Sequence, residues 1–97
     1  MSKVIVSSKS MYNALLKHMD SDRLDSGIVT IEINKNKLMF HDIRYWLDIE
    51  SNGDCKIEVT MREIRTLFHV VNAIPEQPIT VDFKTSNNGI EIYNILI

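Results

Sequence analysis

A chain of 97 residues, 44% hydrophobic and 25% charged, carries enough apolar side chain for one modest core and too little length for two domains, which excludes wholesale disorder. Its net charge of −2 excludes a protein that coats nucleic acid by bulk positive charge, while leaving room for a local basic face. The single cysteine, Cys55, excludes an intrachain disulfide and a cysteine-based metal cluster. With no signal-peptide core and no run of about 18 apolar residues, a cytoplasmic protein without a membrane partner is expected.

Lys3-Val4-Ile5-Val6 is a short β-branched run, and Ser7 and Ser8 after it are helix-capping residues, so strand followed by helix is predicted. Between Lys9 and Asp20 the residues Met11, Ala14, Leu15, His18 and Met19 recur at three- and four-residue spacing and form one buried stripe. A polar, turn-prone stretch from Asp20 to Gly27 ends that helix. Residues 28–34 alternate, with Val29, Ile31 and Ile33 on one face. Asn34-Lys35-Asn36-Lys37 reads as a turn, Leu38 to His41 as a strand, and Ile43 to Glu50 as another, with Trp46 on its polar side between Arg44 and Asp48. Ser51 to Asp54 closes the series.

The pattern then starts again. Lys56 to Val59 is a strand, and Thr60 with Glu63 makes a capping-box signature for a second helix over 61–74. Met61, Ile64, Leu67, Phe68, Val71 and Ile74 form its buried stripe, and Pro75 and Pro78 stop it. A strand at Ile79 to Lys84, a turn at Ser86 to Gly89 and a last strand from Ile90 complete the chain. A shift of 53 residues brings Val4 onto Ile57, Val6 onto Val59, Met11 onto Ile64, Leu15 onto Phe68 and His18 onto Val71. We therefore expect an α+β fold made of two pseudo-symmetric units, about 3–50 and 54–97, that form one continuous antiparallel sheet with both helices on one face.

Several segments resemble a domain of a DNA sliding clamp. They are Lys3 to Val6, Met11 with Ala14-Leu15-Leu16, Leu38 to Ile43, Gly53 to Val59, Glu63 to Phe68, Ala73-Ile74-Pro75-Glu76 and Ile79-Thr80-Val81. The likeness covers nearly the whole chain through apolar spacing and turns. It implies two β-α-β-β-β units and helices that line a ring around double-stranded DNA. Two features depart from it: the second half stops at Ile97 before a third strand, and clamps join two or three such domains per subunit. A lone domain would encircle DNA only by assembling about six copies through edge strands.

For DNA contact, outward helix faces must carry Lys or Arg, which bind phosphates without reading bases. Arg62, Arg65, Thr66, His69 and Ala73 share one face of the second helix, and Lys9, Asn13 and Lys17 share the outer face of the first. Residues 9–20 and 61–74 hold four Lys or Arg against two acids, while the rest of the chain holds seven against eleven. Solvated helix faces carry such residues commonly, so this segregation alone does not decide. Trp46 is a candidate anchor for a protein partner or a residue covered by a loop, and the apolar end through Ile95 and Ile97 is a candidate edge for self-association. His18 is expected near the core, hydrogen-bonded. His41-Asp42 reads as a turn pair, Cys55 as a spectator, and the chain as a non-enzyme without a cofactor. A protein-interaction module that ignores DNA is the alternative function.

Overall fold

A computed structural model describes residues 2–20, 22–86 and 89–96. The chain is α+β. In order it forms β1 (Ser2–Ser7), α1 (Ser8–Met19), β2 (Ile28–Asn34), β3 (Lys37–Phe40), β4 (Tyr45–Asp48), β5 (Glu50–Ser51), β6 (Cys55–Thr60), α2 (Met61–Asn72), β7 (Pro78–Ser86) and β8 (Gly89–Leu96). The strands make two antiparallel four-stranded sheets, β5-β1-β7-β8 and β4-β3-β2-β6, rather than one continuous sheet. Alternating side chains specify a buried face but not which strands pair, which is why one sheet was expected.

The pairing exchanges partners between the halves. β1, from the first half, pairs with β7 from the second, placing Val4 opposite Val81 and Val6 opposite Ile79. β6, from the second half, pairs with β2 from the first, placing Ile57 opposite Ile31 and Val59 opposite Val29. The helix starts are exchanged in the same way. The first N–H of α1, on Ser8, donates to Gln77 O at 2.8 Å, and the first N–H of α2, on Met61, donates to Gly27 O at 2.8 Å. Gln77 and Gly27 each stand one residue before a strand, so each helix is anchored by the loop that follows the other. The two helices therefore run antiparallel.

Local chemistry explains the helix boundaries. Ser7 caps α1, its hydroxyl accepting from Ser10 N–H at 3.0 Å, and Thr60 caps α2, accepting from Glu63 N–H at 3.2 Å. The Glu63 carboxylate accepts from the Thr60 hydroxyl at 3.1 Å, a variation on the capping box. Helix α2 ends at Asn72, two residues before the expected stop, because Ala73 and Ile74 already turn back with N–H groups bonded to Val70 O and Val71 O.

One core joins the sheets and helices. Val4, Val29, Ile31, Leu38, Phe40, Val81, Met11, Leu15, Met61 and Ile64 are sealed from solvent within it. Each such side chain contributes about 1.5–3 kcal/mol of burial free energy.

The expected strand from Ile43 to Glu50 is three separate pieces. Residues 41–44 form a turn with Arg44 at φ 50, β4 starts at Tyr45, and at buried Ile49 the chain leaves one sheet to pair as β5 with β1 in the other. The expected turn at 34–37 is tight, with Lys35 and Asn36 both left-handed at φ 51 and 61. The turn expected at Ser86 to Gly89 lies partly outside the described residues.

Candidate nucleic-acid interface

The two 12-residue helices lie side by side, with the Tyr12 and Phe68 rings stacked between them at 5.2 Å and 24°. Met11, Ala14, Leu15 and His18 on α1 and Met61, Ile64, Leu67 and Val71 on α2 are buried as spacing predicts, whereas Met19, Phe68 and Ile74 are only partly buried against the core and Ser8 joins the buried face of α1. Lys9, Asn13 and Lys17 are exposed on α1, and Arg62, Thr66 and His69 on α2. Antiparallel packing puts Lys9 and Arg62, the second residues of their helices, at opposite ends of a surface about 18 Å long. Lys17 Nζ sits 4.8 Å above the Tyr45 ring, and His69 meets Phe68 edge-on at 5.6 Å.

Arg65 stands apart from the other cations. Its guanidinium pairs with the Asp25 carboxylate and donates to Arg23 O at 2.7 Å. It braces the loop after α1 and is half-buried, so the available charge of this surface rests on Lys9, Lys17 and Arg62. Leu16 on α1 and Val70 on α2 are 43% and 44% exposed, so the exposed side of the helix pair is mixed rather than purely basic. The Arg65–Asp25 pair joins residues 40 apart, a distance at which helical spacing is silent.

The end of α1 meets a charge cluster that runs from buried His18 out to solvent at Asp42 and Arg23. His18 is fully enclosed, edge-on to Phe40 at 4.8 Å. Its Nδ1 lies 2.8 Å from Asp42 Oδ2, turned off the line of a good hydrogen bond, and its Nε2 has no hydrogen-bond partner among the described residues. The expectation of a fully hydrogen-bonded core histidine is thus corrected. Asp42 Oδ2 also accepts from Arg23 at 3.1 Å, and Arg23 donates in addition to Ile28 O. Burial lowers the His18 pKa below its usual 6.5, Asp42 pulls the other way, and Arg23 acts with burial. Asp42 therefore serves as a structural junction between the end of α1, the following loop and the β3–β4 turn. His41 takes a separate partner, Glu32 Oε1, at 2.8 Å.

Trp46 is 60% exposed. What covers part of it is Lys37, whose Nζ is 4.9 Å from the ring and 2.7 Å from Asp48 Oδ1. Met39 is its neighbour on β3. β4 and β8 are edge strands of their sheets. Ile95 belongs to β8, and Ile97 lies outside the described residues. Cys55 is half-buried on β6.

Between the start of α1 and the end of α2 is a shallow cleft of about 250 Å³. Its lining combines Tyr12, Val71 and Ile74 with the charged Lys9 and Glu76. Among the described residues, no group of three or more His, Cys, Asp or Glu side chains could hold a metal ion, and no helix is long and apolar enough to cross a membrane. No protein-family model matches this sequence, and no curated protein matches it.

Proposed function

We propose that the chain is a clamp-like, DNA-associated module that touches the backbone of duplex DNA without reading sequence, through Lys9, Lys17 and Arg62. The observation that carries this reading is the antiparallel helix pair, held by reciprocal loop contacts, which gathers those three exposed cations on one outward surface. A phosphate backbone is a regular line of charge, so cations spaced along a rigid surface position it without hydrogen bonds to bases. Asn13 and His69 are exposed on the same two helices, and Arg65 supports the surface from its loop contacts instead of offering its charge.

Three phosphate contacts make a weak site. They give a log–log salt slope of roughly −2.7, at about 0.9 per contact. Useful affinity then comes from several copies acting together, which the edge strands β4 and β8 supply if they pair between chains. Fluorescence anisotropy of a labelled duplex over a salt series tests the reading. The expected result is a slope near −2.7 per chain that collapses in the Lys9→Glu/Arg62→Glu variant, with Trp46→Ala unchanged. A double variant that keeps the wild-type slope rejects this surface.

A second reading is favoured by the 60% exposure of Trp46. An indole left in water beside an edge strand suits an extended peptide added to β4, with the ring as its anchor. Loss of peptide capture on Trp46→Ala, with no DNA binding by the wild type, would favour this protein-interaction role.

A further inference from the structure

We propose that His18, Asp42 and Arg23 form an acid-operated latch: a proton on His18 parts Arg23 from Asp42 and loosens residues 22–27 and the start of α2, while the rest of the fold stays closed. The ring is sealed from solvent and edge-on to Phe40. Its Nδ1 and the Arg23 guanidinium meet the same atom, Asp42 Oδ2, at 2.8 and 3.1 Å, and its Nε2 has no partner among the described residues. A neutral imidazole has one N–H to place, whereas an imidazolium has two. This site offers them a single carboxylate oxygen, which Arg23 already uses. A buried N–H without an acceptor and a second cation beside Arg23 are both costly, so the protonated ring needs water. The charged groups that face His18 are Asp42 from the β3–β4 turn and Arg23 from the loop after α1. Burial opposes its proton most, Asp42 favours it and Arg23 opposes it. Lys17, its neighbour on α1, is exposed with Nζ over the Tyr45 ring.

The route to water runs through the Arg23–Asp42 pair. Those side chains are 35% and 14% exposed, against full enclosure of His18, so the cluster is covered least on that side. Arg23 also donates to Ile28 O, which makes it a strap from the β3–β4 turn to the start of β2. Parting it from Asp42 lets solvent reach the imidazole and removes one tie on residues 22–27. Those residues hold the start of α2, with Gly27 O accepting from Met61 N–H at 2.8 Å and Asp25 O from Arg62 N–H at 3.0 Å. Arg65, bound to Asp25 and to Arg23 O, keeps the segment close, so the opening is local rather than global. The start of α1 is held by bonds among Ser8, Pro75 and Gln77 that involve no ionisable side chain, and it should not respond. The latch needs neither DNA nor a second copy of the chain.

Amide hydrogen exchange of the full chain, followed by NMR at pH 7 and pH 5 and corrected for the intrinsic pH dependence of exchange, tests this. As the pH falls below 6.5, the usual value for a solvated ring, the wild-type opening equilibrium at Met61 and Arg62 should rise by up to about tenfold per pH unit. The opening at Ser8 should stay constant. His18→Leu should leave Met61 and Arg62 equally protected at both pH values. Arg23→Gln cuts the strap from its partly exposed end, so it keeps the test decisive even if the buried substitution fails to fold. Its Met61 and Arg62 amides should open at pH 7 more readily than those of the wild type, and acid should add little. A wild type with the same Met61 opening at both pH values, an acid-induced opening equal at Ser8 and Met61, or an Arg23→Gln variant with wild-type protection at pH 7 would each overturn the proposal.

Discussion

The two loops that follow the helices do the same task with different chemistry. Each ends one residue before a strand and gives a carbonyl to the first N–H of the other helix, at 2.8 Å in both cases. The loop after α2 is short and contains Pro75. It is fastened by Ser8, whose buried hydroxyl donates to Pro75 O at 2.8 Å and accepts from Gln77 N–H at 3.0 Å. The loop after α1 is longer and acidic, and it is fastened by Arg23 to Asp42 and by Arg65 to Asp25. One joint is neutral and shielded, and the other is charged and partly wet. The first should be indifferent to salt and pH, and the second should respond to both.

The largest effect is expected at the neutral joint. Ser8→Ala strips a part-buried carbonyl and a part-buried N–H of their partner, which costs about 1–3 kcal/mol. It should appear as a lower urea midpoint with an unchanged m value, by the same amount at low and high salt. At the charged joint, Asp42→Asn removes the charge shared by Arg23 and His18. With Arg23 about one-third exposed, at 35%, solvent screening holds the cost to about 1 kcal/mol. Arg65→Met should cost less than about 1 kcal/mol, and 0.5 M salt should narrow its difference from wild type, unlike that of Ser8→Ala. A salt-dependent Ser8→Ala or a salt-independent Arg65→Met would erase the contrast.

Acid should act on the charged side alone. Burial lowers the His18 pKa in the folded chain below its usual 6.5, so the unfolded chain takes up the proton first and acid favours unfolding. This contribution is complete above pH 6.5 and is lost as the pH falls below it, at no more than about 1.4 kcal/mol per pH unit. Urea midpoints at pH 7 and pH 5 should fall in the wild type, and His18→Leu should reduce that fall. An identical fall in the variant would assign the acid sensitivity elsewhere.

Much of this molecule was legible in the sequence where one periodicity governs one element. The alternation of Val29, Ile31 and Ile33 gave β2 as Ile28–Asn34, and its inward residues are buried as expected. The helical stripes were equally readable, because a helix must bury one face whatever it packs against. Period-two alternation failed at Ile43 to Glu50. It continues through a turn with left-handed Arg44, which no glycine announces, and through Ile49, where the chain changes sheets.

For the candidate surface, spacing placed Lys9, Asn13, Lys17, Arg62 and His69 outward, but it could not see Asp25 reaching Arg65 from a distant loop. Parity put Trp46 on the polar side, and its exposure follows.

The reciprocal joints make each half the scaffold of the other, and that exchange is what sets the two helices side by side. Cutting the chain after exposed Gly53 and studying the fragments 1–53 and 54–97 by circular dichroism tests it most directly. Each fragment lacks the partner strand and the carbonyl that complete its β-α unit, so each alone should be unfolded and an equimolar mixture should recover the intact chain's spectrum and one cooperative melt. A fragment 1–53 that folds cooperatively alone would contradict the exchange.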